Sequence, residues 1–285
     1  MRNIILPDIH NKIAVAEKIL KDFPYDHAWF LGDYFDDFYD TPDIVAEVAK
    51  WFKKSIRKKD RIHLCGNHDI HYWFKDNENV RCSGYDQYKS IAISDILENK
   101  DWEKLKFFYV LDGKWLLSHA GVHPTWIDPD SVSKKEFVSS NLTSIVDKLE
   151  YDSVDAVKKF YANKEHWFSC AGFSRSYRSR SYGGLLWCDW NQEFGPIKGI
   201  HQIVGHTPQR SIKWVSIMEA TASYSVLPLG DSMINFTLNE NSFLFTPTLT
   251  ETTSYNLCLD THPGSQYYAI YDNGALTIHK SCDLK

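Results

Sequence analysis

No two cysteines of this 285-residue chain form a Cys-x-x-Cys pair; the six, Cys65, Cys82, Cys170, Cys188, Cys258 and Cys282, are scattered. Thiols placed this way read most simply as reduced, in a cytoplasmic setting. The first residues lack the apolar core of a secretory leader, and no segment nears the roughly 18 apolar residues of a membrane helix, so no membrane partner is expected. A long basic stripe is also missing, and the formal net charge is −5, which argues against nucleic acid or an acidic membrane surface as partner. Sequence repeats are absent. What is present is ordinary for a globular protein: 43% hydrophobic and 24% charged residues. Its 10 Trp, 16 Tyr and 16 Phe mostly serve a large core. We expect one domain over residues 1–285.

Apolar runs give the order of elements. Arg2–Pro7 reads as a first buried strand, and Asp8-Ile9-His10 as its tip, with Asp8 and His10 on one side of an extended segment. Asn11–Asp22 carries Ile13, Ala16, Ile19 and Leu20 at helical spacing. His27–Leu31 is a second strand; Gly32 permits a sharp turn, and Asp33 follows at the strand's carboxyl end, where open α/β sheets put their ligand sites. Thr41-Pro42-Asp43 opens a helix whose basic end, Lys53–Lys59, suits the macrodipole and reads as a solvated face. Arg61–Cys65 is a third strand running into Gly66-Asn67-His68-Asp69, and a helix is expected near Gln87–Leu97. Phe107–Leu111 and Trp115–Ser118 form a hairpin across Asp112-Gly113, ending at His119-Ala120-Gly121. Lys134–Phe160 is expected to be helical, and Ile200–Val204 a strand leading to Gly205-His206-Thr207-Pro208.

Beyond Lys213 no Lys or Arg occurs until Lys280, and Ala220–Ser254 is rich in Thr, Ser, Phe and Leu. It reads as a β-rich insertion over about 220–254, either edge strands or a lid or self-association arm. Asn256–Leu259, Tyr267–Tyr271 and Ala275–His279 close the chain as short strands.

Polar motifs thus follow strands five times, at Asp8, Asp33, Asn67, His119 and His206. Imidazole, carboxylate and amide donors together suit divalent ions of borderline softness. A carboxylate has two oxygens, so Asp33 can touch two ions about 3.5–4 Å apart. The candidate ligand set is Asp8, His10, Asp33, Asn67, His119 and His206. Manganese is the first choice of metal, with iron, zinc or cobalt as alternatives.

Asp8-x-His10, Gly32-Asp33-x-x-Asp36, Gly66-Asn67-His68-Asp69, His119-Ala120-Gly121 and Gly205-His206-Thr207 resemble, in this order, the signature of calcineurin-like metallophosphoesterases. Gly-Asp-Tyr-x-Asp, the single His206 and the Leu185-Leu186-Trp187 run look most like the phosphoprotein phosphatase branch. Bacterial and phage phosphatases and symmetrical diadenosine tetraphosphate hydrolases are similar. The resemblance covers roughly residues 1–210. It implies a four-layer αββα sandwich of two mixed sheets flanked by helices. It also implies that Asp8, His10 and Asp33 hold a first metal, and that Asp33, Asn67, His119 and His206 hold a second. His68 would be the proton donor and Asp36 its orienting partner, with Asn67 also at the substrate. A hydroxide bridging the metals would attack a phosphorylated small molecule, nucleotide or phosphoprotein.

One departure stands out. The branch usually has Arg after the second Asp of Gly-Asp-x-x-Asp, gripping the phosphate; here that residue is Asp37. Arg175, Arg178 or Arg180 could supply the grip. The leading expectation is a phosphomonoesterase, with dinucleoside polyphosphate hydrolysis as the alternative. Nuclease members usually carry Gly-His-x-His, where this chain has Pro208. A non-catalytic scaffold would be expected to have lost ligands that this chain keeps.

Overall fold

A computed structural model describes residues 1–37, 39–130, 138–208, 213–218, 221–228, 242–245, 253–260 and 267–280. Among them the elements are β1 Arg2–Leu6, α1 Ile13–Asp22, β2 His27–Phe30, α2 Pro42–Ser55, β3 Arg61–His63, α3 Asn67–Trp73, α4 Gln87–Ser94, α5 Asn99–Trp102, β4 Phe108–Leu111 and β5 Trp115–Ser118. Then come α6 Leu142–Tyr161, α7 Gly172–Arg175, β6 His201–Val204, β7 Lys213–Met218, β8 Thr221–Pro228, β9 Ser242–Phe245, β10 Ser254–Cys258, β11 Tyr267–Asp272 and β12 Ala275–Lys280. Two mixed sheets with accompanying helices make this an α/β fold. The chain divides into two compact units, one built on each sheet.

The first unit holds Met1–Lys106 with β9, β11 and β12. Its sheet runs β3-β2-β1-β11-β12-β9. β1 pairs in parallel with β2 (Ile4 opposite Ala28), and β2 with β3 (Phe30 opposite His63), while β11, β12 and β9 add antiparallel. The carboxyl ends of β1, β2 and β3 therefore share one edge. Such doubly covered parallel strands need apolar residues on both faces, and Ile4, Ile5, Ala28, Trp29 and Phe30 are all buried. α1 buries Ala16, Ile19 and Leu20, and α2 buries Val45, Val48, Ala49 and Phe52. Thr41 caps α2 by accepting from the Ile44 amide, as the Thr-Pro-Asp start predicts. The basic end of α2 is tied down by acids: Lys53 meets Glu98 at 3.2 Å and Arg57 meets Asp101 at 2.6 Å.

The second unit holds β4 to β8 and β10, in the order β4-β5-β6-β10-β7-β8. β5, β6 and β10 are parallel, and β4, β7 and β8 add antiparallel. Asp112 and Gly113 turn the β4–β5 hairpin with φ of 53° and 63°; Asn273 and Gly274 do the same between β11 and β12, with φ of 52° and 85°. Both are the double left-handed turn that Asp-Gly and Asn-Gly favour.

Two expectations need correction. The helix expected from Lys134 begins at Leu142, because Ser139 bridges to Lys198 and the Asn141 side chain caps the helix by accepting from the Ser144 amide at 2.8 Å. Residues 134–137, Cys282 and much of the 220–254 segment lie outside the described residues. Within that segment β8 borders the second sheet and β9 the first. The Asp8–His10 tip is not extended either: His10 has φ 36° and Asn11 φ 65°. It turns because the Ile9 and His10 amides both donate to the Asp33 carbonyl, at 3.0 and 2.8 Å. No helix among the described residues is long and apolar enough to cross a membrane.

Candidate metal centre and its surroundings

The three parallel strands of the first unit release their loops at one edge, and these loops are tied tightly together. Gly32 has φ 113°, and a Cβ there would stand 2.6 Å from the Gly66 amide nitrogen, so neither loop tip has room for a side chain at the crossing. Asp69, fully buried on α3, is the clasp. Its carboxylate accepts from the amides of Asp33 (2.8 Å), Tyr34 (2.9 Å) and Gly66 (2.8 Å). One side chain thereby fixes the end of β2 against the end of β3.

Asp33 is buried with φ 49°. Its Oδ1 accepts from the His68 amide at 2.8 Å, and its Oδ2 lies 3.6 Å from His10 Nε2. Asp8 Oδ2 lies 4.0 Å from the same nitrogen. Ligand atoms of Asp8, His10 and Asp33 all fall within 4.8 Å of one another. His10 Nδ1 donates to the Phe35 carbonyl at 2.9 Å, so the lone pair of Nε2 faces the two carboxylates. An imidazole pinned through one nitrogen and aimed by the other beside carboxylates is how proteins present histidine to a metal. The donor set, carboxylate oxygens and one imidazole nitrogen, fits a divalent ion of borderline softness. Asn67 is buried at the start of α3, its amide nitrogen 3.8 Å from Cys82 Sγ.

His68 follows on α3. Its Nδ1 meets Asp36 Oδ2 at 3.1 Å. Asp36 is nearly buried and over-supplied with donors: His71 Nε2 at 2.8 Å, Tyr72 Oη at 2.6 Å and Lys89 Nζ at 3.0 Å. Burial alone would raise its pKa, but the bonds from His68 and His71 hold the carboxyl far below the usual range. Burial likewise disfavours the His68 cation, yet Asp33 and Asp36 outweigh it and push its pKa well above the ordinary histidine value. Lys89 also reaches Asp40 at 2.6 Å, so this corner, where Asp37 takes the usual arginine's place, has a cation of its own.

In the second unit His119 follows β5 and His206 follows β6, and the parallel pairing of these strands puts the two loops side by side. His119 is fully buried; its Nε2 is 3.2 Å from His206 Nδ1. Two imidazole nitrogens on one ion, each 2.0–2.1 Å from it, stand about 3.3 Å apart. The Gly205 amide donates to the His119 carbonyl at 2.7 Å, and Ala120, Cys188, Trp190, Phe194, Val204 and Cys258 pack as the apolar floor. Arg175 donates from Nε to buried Asp189 at 2.8 Å. Arg178 instead lies over the ring of exposed Tyr177, 5.3 Å from its centroid, and Arg180 is exposed.

Sequence reading missed His71, Tyr72, Cys82 and Lys89 around Asp36. His71 and Tyr72 were within reach: three and four residues after His68 on a helix, they share its face. Cys82 and Lys89 come from a loop and from α4, where no motif marks them. The role of Asp69 was also overlooked.

Carboxylates and histidines gathered at the ends of parallel strands, with a hydrogen-bonded histidine beside them, make candidate ligand groups for divalent ions. The family model described as calcineurin-like phosphoesterase matches residues 1–210, and the chain belongs to that family. It is therefore a metal-dependent phosphoesterase acting on a phosphorylated substrate, from a dimetal-dependent family, and it carries candidate ligand groups for such ions. No curated protein matches the chain. Among solved structures it is similar to a protein serine/threonine phosphatase from Saccharomyces cerevisiae with similarity to human phosphatase PP5. That match has 13% identity and a TM-score of 0.47, and covers 100% of this chain and 81% of the other.

Proposed function

We propose that this chain hydrolyses phosphate monoesters, phosphoserine or phosphothreonine of a protein among them, at a centre of two divalent ions. Asp8, His10 and Asp33 would hold the first, and Asp33, Asn67, His119 and His206 the second. Manganese suits donors that are all oxygen and nitrogen. When bound, the ions supply Lewis-acid charge for the phosphoryl oxygens and lower the pKa of water toward neutrality.

The chain's own residues do the rest. His68 gives the proton that the leaving alkoxide needs, a role worth about 10²–10⁴-fold. Asp36 holds its Nδ1–H at 3.1 Å, so Nε2 presents the acidic proton. Asn67 is held at the start of α3 and orients substrate oxygen through its amide. Arg175, whose Nε is engaged by Asp189, would turn the rest of its guanidinium to the phosphate, and Arg178 is the outer candidate. We take 1–285 to act as one domain with a β-rich insertion near 220–254, in the cytoplasm, where its free cysteines would stay reduced.

The observation that carries this reading is the tie between His68 and the ligand loop. Its amide is fixed to Asp33 Oδ1 at 2.8 Å while its ring is fixed to Asp36. Proton donor and proposed bridging ligand thus share one anchor. The test is release of phosphate from a phosphoserine peptide by chelated protein before and after manganese is restored. Manganese-dependent release supports the reading. Release only from diadenosine tetraphosphate would replace it with dinucleotide hydrolysis, and no release under any divalent ion would overturn it.

A further inference from the structure

Beside the catalytic His68 stand two donors that the phosphoesterase chemistry does not use, Cys82 and His71, and with His68 they make a second ligand set. Cys82 Sγ is 3.2 Å from His71 Nδ1 and 3.8 Å from His68 Nδ1, and the three ligand atoms lie within 4.8 Å of one another. In a tetrahedral zinc site with Zn–S of about 2.3 Å and Zn–N of about 2.0–2.1 Å, sulfur and nitrogen stand about 3.5 Å apart. The two separations bracket that value. His71 is also prepared as a ligand. It is fully buried, its Nε2 lies 2.8 Å from Asp36 Oδ2, and its Nδ1 faces the thiol. A carboxylate holding the far nitrogen of a histidine is the usual backing of a zinc ligand. Cys82 and His68 are only partly buried, so an ion can reach them from solvent.

We infer that Cys82, His71 and His68 form a separate soft-metal site that takes zinc and inhibits the enzyme. A thiolate selects zinc over manganese, whereas the ligands proposed for the catalytic ions are all oxygen and nitrogen. Zinc entry breaks the S–H bond of Cys82 and the Nδ1–H bond of His68. It forms one Zn–S and two Zn–N bonds and releases two protons, with no change of oxidation state. His68 then loses its bond to Asp36 and keeps only an Nε2–H, a weaker acid than imidazolium. The inhibition rests on the reading of His68 as proton donor; the site itself does not.

The manganese-loaded full-length protein is titrated with cobalt(II), whose thiolate complexes absorb strongly in the near ultraviolet. One further equivalent should produce that band in the parent and none in Cys82→Ser or Cys82→Ala. Zinc at the same loading should lower turnover of an alkyl phosphate by about 10²-fold or more in the parent, and by no more than a few-fold in either variant. Absence of the band, or its persistence in both variants, overturns the site. A band without loss of turnover overturns the inhibition and places the fault with the role of His68. A band in a protein that manganese never activates supports the site and counts against the dimetal reading instead.

Discussion

Replacing Asp69 tests the scaffold that presents the metal ligands. Its carboxylate is the acceptor for three amides, those of Asp33, Tyr34 and Gly66, and it is fully buried. In Asp69→Asn the amide oxygen can take the place of Oδ2, which serves Asp33 and Gly66. The NH₂ then faces the Tyr34 N–H, donor against donor. One buried donor left unmade costs about 1–3 kcal/mol, and the two surviving bonds lose their charge assistance. We expect Asp69→Asn to lose ~2–3 kcal/mol. Asp69→Ala abandons all three amides; the lower end of that range for each already gives about 3 kcal/mol, and the lost charge assistance brings the expected loss to ~4 kcal/mol. The assay is urea unfolding of metal-free protein at neutral pH, followed by tryptophan fluorescence, with manganese content measured afterwards on the reloaded protein. The ranking parent, Asn, Ala should appear in the midpoints, and occupancy should fall in the same order because Asp33 loses its seat. If Asp69→Ala unfolded within about 1 kcal/mol of the parent and kept its metal, the clasp would not hold the loops and the reasoning would fail.

His68→Asn should keep full manganese content yet lose about 10²–10⁴-fold in turnover of an alkyl phosphate, and much less with p-nitrophenyl phosphate, whose leaving group needs no acid; equal losses on both would remove the proton-donor role. Acid should also destabilise the fold through its buried neutral histidines. Burial, with Arg61 adding to it, pushes His63 down to about 3, and burial pushes His123 down to about 3. Unfolded, each takes up a proton near pH 6.5, so the unfolded chain binds more protons below that pH. Their contribution is therefore fully present above pH 6.5 and is lost as pH falls toward 3, by up to ~1.4 kcal/mol per pH unit for each. In His63→Gln, unfolding measured from pH 7 to pH 4.5 should show a slope shallower by that amount, and an unchanged slope would mean His63 is not held neutral.

The legible parts of the sequence were those where a local rule and the fold agree. Ile4, Ile5, Ala28 and Phe30 are apolar because parallel strands are buried on both faces, and a short apolar run announces that without any partner being known. Thr41-Pro42 and Asn273-Gly274 carry their own turn chemistry, so their elements were placed to within a residue or two. The ligand loops were visible because each follows a strand. The tip at His10 was misread because its left-handed turn is set by the Asp33 carbonyl, some twenty residues away, and nothing nearby in sequence encodes it. The start of α6 differs from the expectation because Asn141 acts as its N-cap, a local signal present in Ser139-Ser140-Asn141, while the bridge from Ser139 to Lys198 is a distant pairing. Cys82 and Lys89 were invisible for a similar reason: only the folded path of the segment after α3 brings them to Asp36 and His68.

The account depends most on Asp33 serving two ions. Manganese bound per chain, measured by elemental analysis after loading and desalting, tests it directly in the parent and in Asp33→Asn. The parent should hold two, and the variant should retain less than one, because an amide offers a single neutral oxygen where a carboxylate offers two. Two tightly held manganese ions per chain in Asp33→Asn would contradict the shared aspartate and the mechanism built on it.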